Sequence, residues 1–117
     1  MATVTVTDTK FLQKESNLVS LKITIGQAQA GGSFVVLIAS DGVREEILPD
    51  PNGEYFIQTQ LNSILGCITT VQDINLSTNM TSVLHDFSNA TPNHFDYHRP
   101  VEHHNDKVVY DIQYIFI

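Results

Sequence analysis

Apolar and polar residues alternate with a period of two along most of this chain, the pattern of strands that bury one face. Val4 and Val6 alternate with threonines at the start. In Leu18–Ile25 the apolar set Val19, Leu21, Ile23 and Ile25 shares one side, and Gly26 closes the run. Phe34 to Ala39 is a continuous, β-branched apolar run, which predicts a strand covered on both faces. Asp41-Gly42 is a hairpin turn signal, with a return strand at 43–48 that carries Arg44 and Glu46 outward. Pro49-Asp50-Pro51-Asn52-Gly53 is the clearest turn, because proline presets φ and Asn-Gly tolerates positive φ. Tyr55 to Gln60 resumes extended structure. Ile57, Leu61, Ile64 and Leu65 then fall at helical spacing, which leaves open one short helix near 59–65 with Gly66 as its C-terminal cap.

Alternation returns at 67–76, with Ile68, Thr70 and Gln72 on one side, and again at 80–87. Phe95 and Tyr97 mark a short extended piece, and 101–106 reads as a polar, mobile loop. The last run, Lys107 to Ile117, is the longest strand candidate, with Val108, Tyr110, Ile112, Tyr114 and Phe116 on one face. About eight or nine strands joined by short turns predict an all-β antiparallel β-sandwich, with a closed barrel as the alternative. The 117 residues and 13.1 kDa suit a single domain spanning 1–117. A chain of this size buries roughly two-thirds of its unfolded surface, so one core suffices without metal or disulfide staples.

The segment Pro51-Asn52-Gly53-Glu54-Tyr55-Phe56, followed by Leu61, Gly66 and the β-run Ile68–Val71, resembles carboxypeptidase-regulatory or transthyretin-like sandwich domains over residues 49–71. Cys67 stands where that pattern usually carries an aromatic residue, and the histidine-bearing C-terminal third has no counterpart in it. The resemblance implies an Ig-like or transthyretin-like sandwich used as an accessory or binding module, without catalysis.

Charge narrows the partners. Thirteen acids against six bases give a net charge of -7 with no basic cluster. The lysines and arginines that neutralise phosphates are missing, which speaks against nucleic acid and anionic membranes. No run approaches the ~18 apolar residues of a membrane helix. The start, Met1-Ala2-Thr3-Val4, has no secretory pattern, which predicts a cytoplasmic or particle-associated protein, with a mature secreted chain as the alternative. The single cysteine, Cys67, excludes an internal disulfide and sits in an apolar strand, where a buried, inert thiol is expected.

Candidate chemistry concentrates in the histidines. All five lie between His85 and His104. His94, Asp96 and His98 occupy i, i+2 and i+4, so a strand points all three the same way, about 6.6 Å apart in succession. Imidazole and carboxylate together suit a divalent transition metal, and His103 could add a ligand from the adjacent loop. The competing reading is a polar outer face on an edge strand. Pairing of these histidines with Asp86, Asp96, Glu102 and Asp106 would raise their pKa values and predicts a melting temperature that rises from pH 8 to pH 6. No nucleophile elbow, phosphate-binding glycine loop or His-Glu-x-x-His helix is present. The first expectation is therefore a non-enzymatic binding or structural-assembly module, without cofactor, as a subunit of a larger particle. The alternative is a small metal-binding protein or metalloenzyme using segment 85–104. The final strand, apolar on both faces near Ile115 and Ile117, further predicts a protein partner or self-association.

Overall fold

The two ends of the chain meet inside one sheet. In the computed structural model, which describes residues 1–117, β1 (Thr3–Lys14) runs parallel to β10 (Lys107–Phe116), with Thr3 opposite Lys107 and Leu12 opposite Phe116. Parallel neighbours need a long crossover, and here the crossover is the rest of the protein. On its other side β10 pairs antiparallel with β6 (Ile64–Gln72). Beyond β6 lie β3 (Ala30–Ile38) and β4 (Arg44–Ile47), and the two-residue β8 (Ala90–Thr91) flanks the end of β1. The second sheet has the order β5 (Glu54–Gln58), β2 (Leu18–Ile25), β7 (Met80–Ser88), β9 (His94–Pro100). The result is an all-β sandwich of a six-stranded and a four-stranded sheet, mostly antiparallel.

The alternation explains the core. Val108, Tyr110, Ile112, Tyr114 and Phe116 on β10 are fully buried and face Leu21 of β2 and Val83 of β7, which are buried as well. Each such side chain removed from water contributes about 1.5–3 kcal/mol. The two tyrosines keep their hydroxyls satisfied inside the sandwich. Tyr110 Oη lies 2.7 Å from Thr81 Oγ1, and Tyr114 Oη lies 2.5 Å from His85 Nδ1. Four aromatic rings, Phe87, Phe95, Tyr97 and Tyr114, meet edge to face or tilted around His85 and each other.

Several expectations need correction. β10 is a central strand with backbone partners on both sides, so the last strand presents no unguarded edge. The longest strand is β1, with 12 residues against 10 in β10. Residues 59–65 form no helix. A turn closes from Ser63 N–H to the Gln60 carbonyl at 3.2 Å, Asn62 takes φ 66°, and β6 begins directly after. Leu61 is 58% exposed, so the helical spacing had no buried face behind it. Gly66 lies mid-strand, where an added Cβ would stand 3.1 Å from Val36 Cγ1.

The 101–106 loop is pinned down instead of hanging free. Asp106 is buried and accepts the Ala2 N–H at 2.8 Å and the His103 N–H at 3.1 Å. Those donors, the Ala2 N–H foremost, hold its carboxyl below the usual carboxylate range. Asn105 N–H donates to the Asp73 carbonyl at 2.8 Å, which ties the loop to the end of β6. The neighbouring 73–80 loop is organised by one amide. The Gln29 side chain donates to Asp73 Oδ1 and the Met80 carbonyl, and accepts the Ile74 and Asn75 N–H groups.

Candidate functional site

The histidines come apart in the folded chain. β9 is the edge strand of the four-stranded sheet, and its alternation turns Phe95 and Tyr97 inward and leaves His94, Asp96 and His98 exposed. His94 Nδ1 lies 2.5 Å from Asp86 Oδ1 across the strand pair, while His98 Nδ1 lies 3.1 Å from Asp96 Oδ1. His103 sits in the loop beyond β9 and is tied through its backbone to Asp106. Nowhere do three histidine, cysteine, aspartate or glutamate side chains converge on a common point that could hold a metal ion. The shared direction of His94, Asp96 and His98 is as the spacing predicts. The convergence that a metal site requires is missing, because each imidazole is held by one nearby carboxylate.

His85 has a different fate. It lies on the inner face of β7, completely buried, with Nδ1 against Tyr114 Oη and no partner for Nε2. Burial lowers its pKa to about 4, against the weaker opposing pull of the Asp86 charge. It is therefore neutral at physiological pH and acts as a polar core residue. The raised pKa expected from carboxylate pairing does not apply to it. Tyr97, which donates to Asp8 Oδ2 at 3.0 Å, is pushed up to about 12, chiefly by burial. Cys67 is fully buried and burial pushes its thiol pKa up, so it offers no thiolate nucleophile. Three surface depressions, of about 450, 450 and 210 Å³, contain neither a histidine nor a cysteine.

The outstanding surface feature is the outer side of the six-stranded sheet. Strand register puts Ile38, Ile64, Ile115 and Phe11 in one row across β3, β6, β10 and β1. Two rungs along, Phe34 and Ile68 stand side by side, with Val36 on the rung between. Phe11 is 63% and Phe34 45% exposed, and no element of the chain packs over them. β3 and β6 contain no charged residue at all. The continuous apolar run at 34–39 predicted a strand covered on both faces. Only its inner side, Val35 and Leu37, is covered within this chain.

The sequence pattern assigns no contact role to Phe11, Ile64 or Ile68, although a signal existed for the two isoleucines. Ile64 and Ile68 have the opposite parity to the buried Leu65 and Cys67, so one of the two sets had to face outward. Which set faced the core needed the sheet order. The chain matches no protein-family model, no curated protein and no solved structure.

Proposed function

We propose that this protein is a non-enzymatic β-sandwich module that works by binding a protein surface or by assembling, as a subunit of a larger particle. The observation that carries this reading is the apolar outer patch of the six-stranded sheet, uncharged on β3 and β6 and continued by Ile115 and Phe11. Soluble monomers seldom leave a contiguous patch of this kind open, because it gains free energy by leaving water. The likeness of residues 49–71 to accessory sandwich domains points the same way. In this reading the sandwich core is a rigid support, and the histidines of β9 belong to the solvated side away from the contact.

The test is the size of the native chain in an extract of its own source cells, followed by size exclusion and immunodetection. The expected result is elution well above 13.1 kDa, shifting to the monomer position when Phe34 is changed to lysine. Elution of the unaltered chain as a monomer would remove the reading.

A further inference from the structure

We infer that the apolar outer face binds a second copy of this chain, the two six-stranded sheets packing face to face across a two-fold axis. The inference rests on the assembly reading above and names its partner. Sheets stack about 10 Å apart when their facing side chains interdigitate, which is how this chain already closes its own sandwich. On β3 and β6 the outer face offers the same material as the inner one, isoleucine, valine and phenylalanine in register, with Ile115 and Phe11 extending one row.

Area supports this. Four strands of seven residues and the four-residue β4, at about 4.8 Å spacing and about 3.3 Å rise, give a projected face of roughly 500 Å². Side-chain relief makes the true surface larger, which brings it near the roughly 800 Å² per partner of a standard stable interface. Charge supports it too. The chain carries a net charge of -7, yet the outer face carries only Arg44 and Lys107 against Glu46 and Asp111, a balance of zero. Two copies can therefore meet here without like-charge repulsion at the contact, while their excess acids stay on other surfaces. A strongly charged partner of either sign would meet only two opposite charges on this face, with an apolar patch between them. Asp111, beside Thr7 in register, is the one carboxylate within the apolar area, and Arg44 or Lys107 of the second copy is the counter-charge available to it.

Sedimentation velocity of the purified chain from low micromolar to submillimolar concentration tests this. The expected species is a dimer of twice 13.1 kDa. Phe34→Lys should weaken it by roughly 30-fold or more, the scale of a central interface residue. Lys22→Glu, on the outer face of the other sheet, should leave it unchanged. If Phe34→Lys fails to fold, Thr7→Lys and Thr9→Lys serve instead, because both are exposed threonines of the same face and touch no core. A monomer throughout that range overturns the inference, and so does a dimer indifferent to all three lysines. A chain that is monomeric when pure but large in the cell extract overturns the second copy while leaving the assembly reading in place.

Discussion

The outer faces of the two sheets are built from one kind of strand and end in opposite surfaces. On the four-stranded sheet, Glu54, Lys22, Asp86 and His94 line up in register across β5, β2, β7 and β9, so Lys22 lies between two carboxylates and His94 pairs with the second. On the six-stranded sheet one row is Ile38, Ile64, Ile115 and Phe11, and the next ones keep Val36, Phe34 and Ile68 on β3 and β6 before passing to Gln113 and Asp111 of β10 and the threonines of β1. Both sheets bury the middle of their inner sides in one shared core, so the core cannot be the reason for the difference. A face that water alone covers favours ionised side chains, whereas a face without them is cheaper to cover than to hydrate. The contrast is the clearest functional information in the molecule.

Alternate residues of β10 give the largest effect that can sharpen the comparison. Ile112→Ala, on the inner side, should lower stability by about 4 kcal/mol through lost burial and the cavity left behind. Ile115→Ala, three residues on and outward, should cost less than about half of that in the isolated chain. Urea denaturation of both variants checks it. Equal losses would mean that the outer face is as enclosed as the core.

Acid should weaken the sandwich from the side of the small sheet. His85 has an ordinary pKa of 6.5 and a folded-state value of about 4. The fold binds its neutral form, so this contribution is whole above pH 6.5 and is lost as pH falls toward 4. At about 1.4 kcal/mol per pKa unit, on the order of 3 kcal/mol is at stake. Asp106, held below its usual range, adds a loss in the same direction at lower pH. Thermal melts should therefore be flat from pH 8 to 7 and fall below 6.5, and His85→Phe should flatten the upper part of that fall. A melting temperature that rises between pH 8 and pH 6 would contradict the burial of His85.

A smaller effect separates inside from outside on β3. An added Cβ at Gly31 would meet the Thr70 carbonyl oxygen at 2.1 Å, whereas at Gly32 it would meet nothing within 4 Å. Gly31→Ala should cost about 1–3 kcal/mol, and Gly32→Ala should be neutral or stabilising by about 0.5 kcal/mol. The order of their denaturation midpoints is the measurement. The smallest effect belongs to the charged row. His94 and Asp86 are about half exposed, so Asp86→Ala should change stability by less than about 0.5 kcal/mol. Stoichiometric zinc should leave the melting temperature unchanged, and a clear rise would show that His94, Asp96, His98 or His103 gathers around the ion.

Much of this architecture is legible in the residues alone. The all-β class, the strands expected at 18–25, 80–87 and 107–117 and found at 18–25, 80–88 and 107–116, the turn at 49–53 and the shared apolar face of β10 all follow from period-two alternation and turn chemistry. These are local properties, set by the pleat of a single strand and the φ preferences of Asn, Gly and Pro. The identity of the inward set is also local where the other set is polar, as in Leu18–Ile25.

Three matters were decided only by the tertiary structure. Central placement of β10 required its parallel union with β1, a pairing of residues about a hundred positions apart that no local pattern encodes. The fate of the histidines depended on strand direction and neighbours. One step of parity sends His85 into the core against Tyr114, while its neighbour Asp86 turns to water and meets His94. Last, an apolar run such as 34–39 says that both sides of a strand avoid water, but not what covers each. Sheet order assigns Val35 and Leu37 to the sandwich interior and leaves Phe34, Val36 and Ile38 facing outward. Alternation is a property of one strand, whereas burial belongs to whatever the fold, or a second molecule, places opposite it.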